Sequence, residues 1–262
     1  MPMITNIAAY HFVAIDDPNA VAASVRAWAE AAGLLGTVLV AGEGINCFLA
    51  GSDAAIRGFL DRLQADPRFA SMRVKYSHSD DQPFARLKVK VKPEIISFRL
   101  DDASPLAQRA PAVSPADLAR WIAQGADDAG RRLVLLDTRN REEVAHGSFA
   151  NALTLPIDNF TDLPAALQAH RDAIADATVV SFCTGGIRCE KAALWMQAQG
   201  MQQVLQLDGG ILGYFEEVGG FGFEGSCFVF DERIALDPGL QPVAAAAPET
   251  ARQWADSGQE HA

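Results

Sequence analysis

ATVVSFCTGGIRCEKAALWMQAQG, residues 177–200, decides the architecture of the second half of the chain. TVVSF is a short run dominated by β-branched and aromatic residues, the pattern of a strand buried on both faces. It delivers Cys183 at its carboxyl end. A six-residue loop, Cys183-Thr184-Gly185-Gly186-Ile187-Arg188, then leads into a helix expected to start near Cys189 and to run to about residue 199. The carboxyl edge of a parallel sheet is where open α/β folds place ligands. Gly185 and Gly186 lack a Cβ, so successive backbone N–H groups can turn inward as an anion nest around the sulfur. The helix adds the positive end of its dipole, and Arg188 adds a full charge. All three favour thiolate over thiol, the state a nucleophilic cysteine needs. A structural cysteine beside a glycine turn is the plainer alternative, but packing alone gives no reason for cysteine, paired glycines and arginine at this spacing.

The segments on either side alternate in the same way. RLVLLD (132–137), a helix near 140–145, ANALTLP (150–156), a helix near 162–175, QQVLQLD (202–208) and a short helix after Gly209-Gly210 predict a parallel sheet covered by helices. Ser114-Pro115 opens this unit, expected over 114–218, with proline at the favoured first helical position. Residues 93–113 hold three prolines and no helical period, and are expected to be a linker. A Gly- and Phe-rich extension (219–240) and a mobile tail (241–262) are expected to follow.

Residues 1–92 have a different rhythm. AYHFVAID reads as a strand, and Pro18 starts a helix that runs to Gly33. TVLVA and INCFLAG form a hairpin about Gly42-Glu43-Gly44, and Ser52-Asp53 caps a second helix closed off by Asp66-Pro67. MRVKYSHS and ARLKVKV alternate polar and apolar residues, the second extending the last strand. The order β-α-β-β-α-β predicts a ferredoxin-like α+β domain. The fold class is thus a ferredoxin-like domain followed by an α/β domain with a parallel sheet.

Hydrophobic residues make up 49% of the 262 and charged residues 21%, which excludes a mainly disordered or collagen-like chain. No apolar run approaches the roughly 20 residues of a membrane span, and no secretory leader is evident, so a cytoplasmic protein without membrane contact is expected. The net charge of −11 is unevenly spread: residues 1–100 hold 11 basic and 10 acidic groups, and the remainder 11 and 23. Residues 67–92 carry seven basic groups against two acidic ones. Lys88, Lys90 and Lys92 share one parity, so they project from one strand face while Val89 and Val91 face the core. That face is either simply solvated or binds RNA phosphates. Four cysteines (47, 183, 189 and 227) are too few for a disulfide scaffold and have no zinc spacing, so no metal site is expected. Cys47 and Cys227, in apolar surroundings, are expected as buried small hydrophobes.

Residues 132–214 resemble a rhodanese domain: LLDTRNREEVAHGSFANALTLP is similar to its early motif, CTGGIRCEKA to its active-site loop and LDGGILGY to its closing motif. More narrowly, AGEGIN (41–46), KVKPEII (90–96), DTRNREEV (137–144) and CTGGIRCEKA (183–192) together resemble the rhodanese-domain tRNA uridine(34) hydroxylases, over about residues 5–238. The resemblance implies oxygen-dependent hydroxylation of the wobble uridine to 5-hydroxyuridine, with Cys183 as the active-site residue, O2 as co-substrate and the anticodon arm of tRNA as partner. No other cofactor and no stable protein partner are implied. Some members carry a cysteine-rich C-terminal region, and this chain has no cysteine after Cys227, so a short form is expected. A rhodanese-type sulfurtransferase carrying a persulfide on Cys183 is the alternative. It is the one that the short Cys-x4-Arg loop favours, since the Cys-x5-Arg loop of the related phosphatases suits a larger anion. Around the loop, Asp137 and Arg139 either orient it or simply hold the fold. Glu143 is expected as a fold-holding acceptor. Cys189 either resolves an oxidised Cys183 or caps the helix.

Overall fold

The computed structural model describes residues 3–100 and 103–243. Most of the expected tail, from residue 244 on, lies outside the described residues. The chain divides into two compact units. One runs to Ser97 and takes back Asp231–Arg233; the other runs from Phe98 to Phe230 and resumes at Ile234.

In the first unit β1 (Ile4–Phe12), β2 (Leu35–Ala41), β3 (Gly44–Gly51), β4 (Val74–Ser79) and β5 (Leu87–Val91) form one sheet in the order β4-β1-β3-β2-β5. Helices α1 (Pro18–Ala31) and α2 (Asp53–Gln64) connect β1 to β2 and β3 to β4. Both begin as the sequence predicts, with Asp17 and Ser52 accepting from backbone N–H groups three residues on. Their apolar stripes, including Val25, Ala29, Ile56, Phe59 and Leu63, share one core with Ile7, Ala9, Val38, Val40, Ile45, Cys47 and Leu49 from alternate strand positions. The first four strands give the ferredoxin-like order. The fifth does not extend the fourth: β4 pairs antiparallel with β1 at one edge, and β5 pairs parallel with β2 at the other. Pro83, in the intervening segment, has no N–H to offer a ladder, which suits a break in the strand.

The second unit is built on a parallel sheet in the order β6-β11-β10-β7-β9. Its elements in sequence are β6 (Ala112–Val113), α3 (Pro115–Gln124), β7 (Leu133–Asp137), α4 (Arg141–His146), β8 (Gly147–Phe149), β9 (Leu153–Thr154), α5 (Leu163–Gln168), β10 (Thr178–Phe182), α6 (Ile187–Ala198), β11 (Val204–Leu207) and α7 (Gly210–Val218). Short strands β12 (Phe223–Gly225), β13 (Cys227–Phe228) and β14 (Ala235–Leu236) follow; β12 pairs with β8 and β13 with β14. Ser114 caps α3 and Pro115 takes its first turn, as expected. The central strand β10 is buried at every position, which explains its continuous apolar sequence. Much of the expected linker is structured: Phe98 stacks on Phe160 with ring centroids 4.5 Å apart, β6 pairs with β11, and the exposed Arg109 forks the fully buried carboxylate of Glu190. Proline content alone hid this, because two residues suffice for an edge strand.

Candidate active site

Strand β10 ends at Phe182, opposite Asp137 of β7, so the carboxyl ends of two central strands meet where Cys183 begins the loop. The helix starts two residues earlier than expected. Gly186, at φ 100°, is the N-cap of α6, and Ile187 and Arg188 lie in its first turn. The left-handed backbone that glycine tolerates shortens the loop to Cys183–Gly186. The second glycine constraint comes from α7. A Cβ on Gly210 would sit 2.6 Å from both the Cys183 carbonyl oxygen and the Gly186 nitrogen. With Gly210 in place, the N–H groups of Ile211 and Leu212 donate to the carbonyls of Cys183 and Thr184 at 2.9 and 3.0 Å. The loop's outward carbonyls are therefore satisfied by α7, and its N–H groups remain for the sulfur.

Cys183 has no exposed surface. Its Sγ accepts the Gly186 N–H at 3.1 Å, and the N–H groups of Arg188 and Cys189 also point to it. Burial pushes its pKa up. The hydrogen bond from the Cys189 thiol, the Arg188 charge and those backbone donors outweigh burial and hold it well below the ordinary thiol value. Cys189 moves the opposite way. Burial, then its contact with the Cys183 sulfur, pushes it well above the ordinary value, so it stays a protonated donor. Its Sγ also lies 3.7 Å from Thr138 Oγ1, whose hydroxyl is 3.0 Å from the Phe182 carbonyl.

Arg188 is not a lone charge. Its guanidinium forks Glu143, Nη1 to Oε2 at 2.6 Å and Nη2 to Oε1 at 2.7 Å, with both side chains almost wholly out of water. Burial pushes the Glu143 pKa up, and Arg188, Arg139 and the Asn140 N–H bring it down to a net lowering. Glu143 closes a capping box at the start of α4, donating its own N–H to Asn140 Oδ1 and accepting the Asn140 N–H. The Thr184 hydroxyl is 3.3 Å from Glu143 Oε1 and from the Phe228 carbonyl. One carboxylate thus ties a helix cap, the loop and the loop's arginine together. Phe230 lies 5.8 Å from the Arg188 guanidinium.

Asp137 and Arg139 form a fully buried fork of their own, with Arg139 also donating to the Gly147 carbonyl and Ser148 to Asp137. These bonds join the end of β7 to β8; none of them reaches residues 183–188. Cys227 is buried as expected, yet its surroundings are polar: it contacts the Thr184 hydroxyl and faces Arg139. Three of the four cysteines therefore gather round the loop, while Cys47 sits in the first unit's core. Nothing in the local sequence of Cys227 signals this, because its neighbours are brought from β7 and the 183–186 loop by pairing of distant segments.

In the first unit Lys90 is exposed and Lys88 and Lys92 are partly buried. Burial, then the charges of Arg86 and Lys90, lowers the Lys88 pKa. Val89 is buried, but Val91 is 42% exposed, so only one of the two valines faces the core. β5 is an edge strand, and Val91 is its last residue. Among the described residues, no group of three or more His, Cys, Asp or Glu side chains is placed to hold a metal ion, and no helix is long and apolar enough to cross a membrane.

Comparison with known proteins finds two family matches, one within each unit. Residues 4–95 match the family described as UPF0176 acylphosphatase like domain, and residues 114–217 match the Rhodanese-like domain. A tRNA uridine(34) hydroxylase of Xanthomonas euvesicatoria pv. vesicatoria is 70% identical over 241 residues, which cover 92% of this chain and 97% of the relative. One of Xylella fastidiosa is 62% identical over 92% of this chain and 94% of the relative. Among solved structures, a rhodanese-related protein of Thermoplasma volcanium is similar to 41% of this chain and 93% of its own, at 25% identity and a TM-score of 0.33.

Proposed function

The chain belongs to the tRNA uridine(34) hydroxylase family, and on that premise we propose that it hydroxylates the wobble uridine of tRNA at C5 with molecular oxygen, through Cys183. The observation that carries the reading is the extent of the likeness, which runs through both units rather than the rhodanese-like one alone. A persulfide carrier has no use for the first unit. The site offers a sulfur set against N–H donors that lower its pKa, and a thiolate can add to an electron-poor pyrimidine or take up oxygen. Thr184, Gly185, Gly186, Ile187 and Arg188 shape the cradle, and Glu143 fixes Arg188 within it. The reaction takes place in the cytoplasm. The direct test is nucleoside mass spectrometry of tRNA from cells with and without this gene. 5-Hydroxyuridine and its derivatives should disappear on deletion and return with the gene; an unchanged nucleoside profile overturns the reading.

The anticodon arm docks on the first unit through Lys88, Lys90 and Lys92. An acidic chain needs such a locally basic face, since the second half carries an excess of acidic groups that repels phosphate. Each neutralised phosphate adds about 0.7–0.9 to the slope of log affinity against log salt. Replacing all three lysines by Gln should weaken tRNA binding and flatten that slope by roughly two to three. Binding titrations over a salt series measure it, and a triple variant with the parent's affinity and slope places the RNA elsewhere.

A further inference from the structure

Replacing C5–H by C5–OH with O2 uses one oxygen atom and leaves the other to be reduced, which requires two electrons from elsewhere. The structure places a second thiol against the first. Cys189, in the first turn of α6, hydrogen-bonds the sulfur of Cys183 from three residues beyond the N-cap. Both sulfurs are fully buried. Thr138 holds the far side of Cys189, and the Phe182 carbonyl in turn orients Thr138. Cys227 contacts Thr184 and the Phe228 carbonyl instead, so the sulfur poised on Cys183 is that of Cys189.

We infer that Cys183 and Cys189 are the two-electron donor of the hydroxylation, each turnover leaving a Cys183–Cys189 disulfide that a cellular dithiol reopens. This rests on the proposed hydroxylase reading. Of the two atoms of O2, one bonds C5 of the uridine, which ends as C5–OH. The other bonds the Cys183 sulfur, giving a sulfenic acid. Carbon and sulfur each lose two electrons, and O2 gains four. The Cys189 thiol then attacks the sulfenic sulfur: the S–S bond forms, the S–O bond breaks, and the oxygen leaves as water with the Cys189 proton. Two sulfurs already in hydrogen-bond contact need only close to the roughly 2 Å of a disulfide. A dithiol returns both thiols and becomes a disulfide itself.

The fully reduced whole protein, mixed with substrate tRNA and O2 and no added reductant, should make close to one 5-hydroxyuridine per chain and stop. Peptide mapping should then find an equal amount of the Cys183–Cys189 disulfide, and excess dithiothreitol should restore repeated turnover. Cys189→Ser, which keeps the shape and a donor for Thr138, should accumulate a dimedone-reactive Cys183 that the parent does not show. Product formed with all four thiols still free overturns the inference and leaves the hydroxylase reading standing, as does a disulfide that joins Cys183 to Cys227. No 5-hydroxyuridine even with excess dithiothreitol overturns the hydroxylase reading and the inference together.

Discussion

Cys183→Ser should lower the rate of 5-hydroxyuridine formation by about 10³-fold or more, the scale seen when a covalent nucleophile is removed from a preorganised site. The effect is electrostatic. The Gly186 N–H, the first turn of α6 and the Arg188–Glu143 pair form an environment that rewards negative charge at one point. A serine hydroxyl stays neutral there at any working pH, and oxygen cannot cycle through a sulfenic state. The fold bears the change well, because the hydroxyl takes a nearly identical volume and keeps the Gly186 N–H as a partner; burying it costs about 1–3 kcal/mol at most. Rates on purified tRNA, together with urea unfolding of both proteins, separate the two effects. A serine variant that restores parental levels in deleted cells removes Cys183 from the reaction.

Glu143→Gln should be the most damaging isosteric change for stability, at about 3–5 kcal/mol. Glutamine keeps the size and one acceptor, but it leaves the buried Arg188 guanidinium without its counter-charge, and it weakens the α4 capping box. For a domain stable by roughly 5–15 kcal/mol that loss is readily measured by denaturant or heat. The double change Glu143→Met/Arg188→Met removes both charges and should recover much of the stability while remaining inactive. The pH dependence has a definite sign. Opposing burial, Arg188 and its neighbours leave the Glu143 pKa lower in the fold than its ordinary value of about 4.3. Its contribution is therefore fully present above that ordinary value and is lost as pH falls through the folded one. The gap between parent and Glu143→Gln should be constant from pH 6 to 8 and shrink only as pH falls below the ordinary carboxyl value of about 4.3 toward the lower folded one. A gap that does not change with pH assigns the loss to the helix cap rather than to charge.

What could be read from the chain beforehand follows the range of the interactions. Strand β10 and the nest after it were legible because both are local: continuous β-branched residues, then paired glycines, then a helix. The start of α6 was misplaced by two residues because a helix period cannot show that Gly186 adopts the left-handed backbone of an N-cap. Asn140 and Glu143 carry the spacing of a capping box, so a fold-holding role for Glu143 was within reach. Its second bond, to an arginine 45 positions later, was not, since nothing in either segment marks the other. The same limit hid Cys227 beside Thr184 and the split of β4 and β5 to opposite edges of their sheet, where pairing rather than alternation decides. It also made Val91 look like a core residue, because alternation does not reveal where helical cover ends.

The sheet of the second unit has a bearing on how the protein is made. Its first strand, β6, pairs with β11, roughly ninety residues further along, and the loop carbonyls are bonded by α7, later still. During vectorial synthesis at about 5–20 residues per second, a growing chain that has reached residue 200 already contains Cys183, Arg188 and Glu143. It lacks both the strand that completes the sheet and the glycine turn that closes over the loop. Until residue 212 has emerged, the carbonyls of Cys183 and Thr184 lack the N–H partners that α7 brings to them. Long-range pairing makes this domain slow to assemble, and by the same geometry the cysteine loop is braced only after α7 has been made.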